Sequence, residues 1–230
     1  MDFKNELKKL ILPANCEIES QFDTYYHLLV EWNEKFNLTA ITEESEVYLK
    51  HFYDSVRGQK YITKGARIAD IGAGAGFPSI PLKIVRDDIT VDMYDSLNKR
   101  IGFLKEVIAR LGLKGITATH TRIEDVAAKC RGKYDFIVAR AVASLPTLLE
   151  YAMPLLKVGG ALVAYKGSNV EEEIAASQNA LKVLGAKIES VDTFTLPESD
   201  ITRSFVIVRS LREPNKKYPR GQNKPKNNPL

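Results

Sequence analysis

The residues best placed to do chemistry gather in one turn, Ala69-Asp70-Ile71-Gly72-Ala73-Gly74-Ala75-Gly76-Phe77-Pro78. A strand-like apolar run leads into it, and Pro78 suits the first turn of a helix that follows. Glycines at 72, 74 and 76 let the backbone turn tightly and approach a bound ligand closely. Their spacing matches the dinucleotide fingerprint only in part, because Gly76 comes one residue early for the third glycine. No Gly-Lys-Ser/Thr follows, which excludes a loop that cradles a nucleoside triphosphate. Asp70 closes the strand. A carboxylate there favours a ligand carrying an ammonium or sulfonium over a pyrophosphate.

More polar groups fall at the ends of later apolar runs. Asp95 opens the stretch Asp95-Ser96-Leu97-Asn98-Lys99-Arg100 and suits the two hydroxyls of a ribose. Asp92 competes for that role, and the alternative for both is a plain loop cap. In Thr121-Arg122-Ile123-Glu124-Asp125, Ile123 offers an apolar face for a purine ring and Glu124 an acceptor for its amino group. The two acids would equally suit an ordinary first helical turn. Arg140 directly follows Phe136-Ile137-Val138-Ala139, a position that faces the ligand crevice of an open sheet. Arginine pairs with guanine N7 and O6, although a lone arginine often serves only a salt bridge.

No Asn/Asp-Pro-Pro-aromatic tetrad follows that strand, which disfavours methylation of an exocyclic amine. Cys16 and Cys130 lie outside the expected crevice, so a cysteine nucleophile is not expected. Their distance in sequence fits reduced thiols, and the three scattered histidines lack metal spacing. Guanine N7 has a free in-plane lone pair and needs no general base; alignment and a suitable field would suffice for direct displacement.

The elements that must position these groups follow from periodicity. Ile18, Phe22, Tyr25, Leu29, Trp32 and Phe36 recur every three or four residues and form one apolar helical stripe. Asn37-Leu38-Thr39 should end that helix, with Thr42 capping another from Glu43 to Tyr53. Strands are expected near 66–71, 90–94, 116–120, 134–139 and 160–165, with helices near 78–85, 98–111, 123–129 and 145–156. Gly159-Gly160 reads as a terminator. Alternating strands and helices imply a parallel α/β sheet covered on both faces. A helix from Glu171 to about Leu184 and strands at 186–194 and 203–209 follow; the short Pro197–Asp200 link makes that last pair antiparallel. The chain thus divides into a helical cap (1–60), a catalytic domain (61–210) and a basic, irregular tail (211–230).

That tail holds six basic residues against Glu213 alone, while the whole chain carries only +4. A basic arm attracts polyanions. On charge alone a solubilising terminus is an equal alternative. With 44% hydrophobic residues in 230, one sizeable core is expected. No run is long enough to cross a bilayer and Met1–Glu6 is not signal-like, so secretion is not expected; with the reduced thiols a cytoplasmic location is expected, and a monomer is the expected state.

Taken together, Phe36-Asn37-Leu38-Thr39, His51-Phe52-Tyr53-Asp54-Ser55 and the glycine turn through Pro81 resemble the bacterial glucose-inhibited division protein B family. That family is also called ribosomal RNA small subunit methyltransferase G. Asp95–Arg100, Arg122-Ile123-Glu124, Val138–Ala141, Tyr165-Lys166-Gly167, Arg203 and Lys217-Tyr218-Pro219-Arg220 continue the likeness over nearly the whole chain. The resemblance implies a Rossmann-like class I methyltransferase that uses S-adenosyl-L-methionine to methylate guanine N7 in small-subunit ribosomal RNA near the decoding site. It implies that Gly72 and Phe77 line the cofactor site, with Asp95 and Ser96 at the ribose and Ile123 and Glu124 at the adenine. Arg140 would be a catalytic contact shared by cofactor and substrate. Arg122, Lys166, Arg203, Lys217 and Arg220 would hold RNA. Tyr94 stands where the family more often has an aliphatic residue, which keeps Asp92 in play as the ribose partner. Rival readings are a non-catalytic RNA-binding or assembly protein on a degenerate fold, a nicotinamide oxidoreductase and a small-molecule methyltransferase.

Overall fold

A computed structural model describes residues 1–230. Helix α1 (Phe3–Lys9) is capped by Asp2, and α2 (Cys16–Phe36) starts at Asn15, whose side chain accepts from the Ile18 amide at 2.9 Å. Asn37 ends α2 in a left-handed conformation at φ 48°. The expected Thr42 cap is displaced by one residue. Glu43 accepts from the Glu46 amide and starts α3 (Glu44–Val47). The helix expected through Tyr53 widens into a π-helical segment, Tyr48–Tyr53, before α4 (Asp54–Arg57) and a short 3-10 turn to Tyr61. Such π segments recur at functional sites. This one delivers Lys50 and His51 to the sheet edge, and Asp54 follows at the start of α4.

The sheet comprises β1 (Arg67–Ile71), β2 (Thr90–Asp95), β3 (Ile116–His120), β4 (Tyr134–Arg140), β5 (Leu156–Lys166), β6 (Ala186–Thr195) and β7 (Thr202–Ser210). Their order is β3-β2-β1-β4-β5-β7-β6, with β7 antiparallel to both β5 and β6. Between them run α5 (Ser79–Val85), α6 (Asn98–Arg110), α7 (Ile123–Cys130), α8 (Leu145–Ala152), α9 (Val170–Ala176) and α10 (Gln178–Leu184). The strand order reverses between β1 and β4, where open α/β sheets bind ligands beyond the strands' carboxyl ends.

Two local departures have clear causes. β5 begins at Leu156 because the stretch around Gly159-Gly160 bulges against β4 instead of ending a helix. The single helix expected to Leu184 breaks at Ser177, whose buried hydroxyl donates to the Glu173 carbonyl at 2.6 Å.

Strand alternation supplies a core on each face. Ile68, Phe136, Val138 and Val163 point to one side, Ala69, Ile71, Ile137 and Leu162 to the other. The N-terminal helices share the first core: Phe22, Tyr25 and Phe52 are fully buried beside Phe77 and Phe103. Burying each such ring contributes roughly 1.5–3 kcal/mol, so the cap is bound firmly to the sheet. The aromatic stripe of α2 is therefore core. The last twenty residues carry one helical turn, α11 (Lys224–Asn227), and are otherwise irregular. They are nonetheless packed: Tyr218 and Pro225 are buried on the side of α8. No helix is long and apolar enough to cross a membrane.

Candidate methyl-donor and acceptor cavities

Two cavities open where β1, β2 and β4 end. The first, about 610 Å³, is lined by Ile71 and Gly72 from the glycine turn, Asp95 and Ser96 after β2, and Ile123 and Glu124 at the start of α7. Five residues singled out for the cofactor (Gly72, Asp95, Ser96, Ile123 and Glu124) thus share one wall system. Arg122, expected at RNA, stands on the same rim. Arg100, Thr121, Tyr151, Asn223 and Lys226 complete the cavity and were not foreseen. Of these, Arg100 and Thr121 lay within motifs already marked; the tail residues carried no local signal.

Asp95 is fixed at the cavity wall by three hydrogen bonds. Its Oδ1 accepts from the Leu97 amide at 2.9 Å, and its Oδ2 accepts from the Gly74 amide at 2.9 Å and from Arg100 at 3.3 Å. Two carboxylate oxygens have lone pairs to spare after three such bonds. Asp92 instead turns to Arg67, Thr117 and Tyr134 and lines neither cavity. Tyr94 is hydrogen-bonded to Tyr134 at 2.6 Å and leaves Asp95 in place.

Asp70, Gly74, Gly76 and Phe77, all expected at the cofactor, do not line this cavity. Gly76, at φ +94°, packs so tightly that a Cβ there would lie 2.6 Å from Ile80 and 2.7 Å from the Tyr25 hydroxyl. That glycine serves the turn's packing. Asp70 is completely buried beneath the turn, and neither carboxylate oxygen has a hydrogen-bond partner. Burial pushes its carboxyl up to about 7. The adjacent Ser79 hydroxyl and amide and then the Arg140 charge hold that shift back.

The second cavity, about 760 Å³, lies between the π-helical segment and the ends of β4 and β5. It brings together Lys50, His51, Asp54, Arg140, Lys166 and Arg203. Arg140 donates to the Lys50 carbonyl at 3.0 Å and to Asp54 at 3.1 Å, and meets His51 Nδ1 at 2.9 Å. Its guanidinium also lies 4.8 Å above the Phe77 ring, which stacks on His51. Burial and the adjacent Arg140 charge hold His51 far down, at about 3, so it is neutral. Because Arg140 donates to Nδ1, the proton of that neutral ring sits on Nε2 and is donated to Thr39 Oγ1 at 2.9 Å. Burial raises the Asp54 carboxyl while Arg140 and Arg203 hold it back. His51 and Asp54 were visible only as part of a motif, with no chemistry assigned to them.

Arg203 reaches Asp54 at 3.9 Å and faces the cavity. Lys166 is committed elsewhere, to Glu173 at 2.6 Å and the Ala143 carbonyl at 2.8 Å. Lys217 is exposed and lines neither cavity. Arg220, expected on RNA, instead forms a two-point pair with buried Glu150, at 2.9 and 2.7 Å. Ala141 and Val142 line both cavities and form the septum between them. Ala141 takes a left-handed φ of 57°, strain of a kind that clusters at functional sites.

The chain is similar to known proteins over its whole length. The family described as "GidB: rRNA small subunit methyltransferase G" matches residues 18–202. A ribosomal RNA small subunit methyltransferase G of Halalkalibacterium halodurans is 52% identical, covering 100% of this chain and 98% of the relative. One from Acetivibrio thermocellus is 50% identical, with both chains covered in full. Among solved structures, a ribosomal protein L11 methylase from Lactobacillus delbrueckii subsp. bulgaricus superposes with a TM-score of 0.54 at 20% identity, covering 70% of this chain and 79% of that one. M. jannaschii TYW2, solved in complex with AdoMet, gives 0.53 at 16% identity over 68% and 74%. These distant structures share the class I methyltransferase fold. The sequence relatives go further: the chain belongs to the rRNA small subunit methyltransferase G family.

Proposed function

We propose that the protein transfers a methyl group from S-adenosyl-L-methionine to N7 of one guanine in 16S ribosomal RNA, near the decoding site. The observation that carries this reading is the paired cavity: a donor site built on the glycine turn and Asp95 adjoins an acceptor site built on Arg140, across the Ala141-Val142 septum. The donor cavity fits the cofactor chemically. Asp95 offers acceptors to a ribose, Ile123 and Glu124 suit an adenine, and the unpartnered Asp70 carboxyl lies beneath the turn, where a nearby cation would favour its ionised form. When bound, S-adenosyl-L-methionine supplies a sulfonium-activated methyl group.

The acceptor cavity holds its titratable groups in a way that suits N7. His51 Nδ1 is occupied by Arg140, and Asp54 is paired with the same arginine, so neither is placed to take a proton. An amine acceptor would need such a base; the N7 lone pair does not. Arg203 and Arg140 supply donors for phosphate or guanine O6. Arg122 stands at the donor rim and Lys217 on the outer surface, where each can meet the RNA backbone. Residues 1–60 serve as a cap that completes the acceptor site, 61–210 as the catalytic domain and 211–230 as a tail. We read the protein as a cytoplasmic monomer acting on ribosomal RNA or a ribosomal particle. Incubation with isotope-labelled cofactor, followed by mass-spectrometric mapping of small-subunit RNA, should place the label on one guanine N7. Label on an exocyclic amine or a pyrimidine would refute the acceptor, and no label in RNA would refute the enzyme.

A further inference from the structure

The basic tail invites a role as an RNA-binding arm, yet its strongest interactions point inward. Arg131 at the end of α7 reaches three tail carbonyls: Tyr218 at 2.8 Å, Pro214 at 2.5 Å and Asn215 at 3.3 Å. Glu150 on α8, completely buried, accepts both the Arg220 guanidinium and the Arg220 amide, the latter at 2.7 Å. Arg220 in turn donates to the Asn228 carbonyl at 2.8 Å, folding the last ten residues back on themselves. Thr147, also on α8, donates to the Pro225 carbonyl at 2.8 Å. A buried carboxylate with a two-point arginine partner is expensive to unpair, so this clamp fixes the tail against α8.

The consequence lies one residue along α8. Tyr151 follows Glu150 and lines the donor cavity, and the clamped tail places Asn223 and Lys226 beside it. Neither polar end takes part in the bonds that fix the tail. Gln222 and Asn223 both adopt left-handed backbone conformations, at φ 59° and 56°, which turn the chain into α11 over the cavity. A strained turn held by a buried ion pair, with two unengaged polar side chains at a ligand cavity, is the arrangement of a binding wall.

We propose that residues 221–228 are a wall of the donor cavity, with Asn223 and Lys226 contacting bound S-adenosyl-L-methionine on the side of Ile123, Glu124 and Tyr151. This rests on the methyltransferase reading and extends its donor site to a segment whose charge suggested RNA. Donor binding and tail docking are then linked: whatever binds the docked form holds it closed.

The test uses the full chain and three variants: Lys226→Ala, Asn223→Ala with Lys226→Ala, and a truncation after Arg220 that keeps the Glu150 clamp and Tyr218. Binding of S-adenosyl-L-methionine is measured by calorimetry and RNA binding by salt titration. Loss of polar contacts to a charged ligand should weaken donor binding on the order of tenfold in the double variant, and at least as much in the truncation. The point variants keep the test valid should the truncation unfold. In the unaltered protein, saturating donor should slow tryptic cleavage after Arg220 and Lys226. Donor affinities within twofold of the parent in the point variants would overturn the proposal. So would a loss confined to RNA affinity, which would make the tail an arm after all. If the unaltered protein itself fails to bind the donor, the methyltransferase reading falls and takes this inference with it.

Discussion

Replacing Asp70 by Asn tests the donor site at its least ordinary residue. Asp70 is buried without a hydrogen-bond partner, and its carboxyl titrates near 7 instead of 3.8. Unfolded, the group loses its proton near pH 4; folded, near pH 7. Between those values the folded state binds the proton more tightly, so this residue's contribution to stability is full below about pH 4 and is lost as pH rises through 7. A shift of about three pH units corresponds to about 4 kcal/mol. Asn has nearly the same shape and no charge. The stability of Asp70→Asn relative to the parent should therefore climb by about 4 kcal/mol between pH 4 and pH 8, measured by urea unfolding without cofactor. Comparison between the two proteins is essential because His51 acts in the opposite sense. Held at about 3, it loses stability as pH falls from 6.5, and it does so in both proteins. A sulfonium or ammonium above the turn should pull the Asp70 carboxyl down. Donor binding near pH 7 should then release a proton, visible as a buffer-dependent heat, and the Asn variant should bind more weakly without that release. Parallel unfolding profiles for the two proteins from pH 4 to 8 would refute the reasoning.

The acceptor side makes two more predictions. Arg140→Met removes the cation nearest to Asp54, which is 3% exposed, and leaves Arg203 at 3.9 Å with the more distant Arg57; it should cost about 3–5 kcal/mol in urea unfolding. Adding Asp54→Asn should recover part of that stability while methyl transfer stays lost, so a double variant regaining activity would remove Arg140 from the site. Arg203→Ala should weaken RNA binding and lower its salt slope by about one, with donor affinity unchanged; an unaltered slope would place Arg203 outside the RNA interface.

The sheet was legible because its strands are short apolar runs between glycine-marked turns, and each turn's position fixes where a ligand sits. Asp95, Ser96, Ile123 and Glu124 share one cavity because all of them follow strand ends on one edge. Legibility failed where tertiary contacts decide. Nothing local to Arg220 announces that its partner is Glu150, seventy residues earlier, and composition alone makes a pinned tail resemble a free arm. The π-helical segment escaped because its sequence, Tyr48–Tyr53, reads as ordinary helix; its aromatic side chains pack on Phe3, Phe22 and Tyr25 of the first two helices, contacts that no local pattern announces. Phe77 shows a third kind of limit. The family resemblance implied cofactor contact for it, and in this structure its ring stacks on His51 and lies against the Arg140 guanidinium.

The acceptor atom itself constrains Arg140. Guanine N7 reacts along its in-plane lone pair, so no donor can occupy that lone pair while a methyl group arrives, and the paired N7/O6 contact that suits recognition cannot be the reactive one. Arg140 is anchored by the Lys50 carbonyl, Asp54 and His51, which leaves part of its five-donor fork for a single acceptor such as O6. Methylation at N7 also moves a positive charge from the donor to the guanine ring. An unpaired arginine beside that ring would oppose the change. Asp54 offsets part of the charge of Arg140 and Arg203, and burial beside those cations keeps His51 neutral, so the imidazole adds no further positive charge as the ring gains its own. On the proposed reaction, Asp70 and Asp54 would act at different stages. The first attracts the charge while it resides on the donor, and contributes affinity; the second receives it as it develops on the acceptor. Only an interaction of that second kind strengthens on the way to the transition state and lowers the barrier.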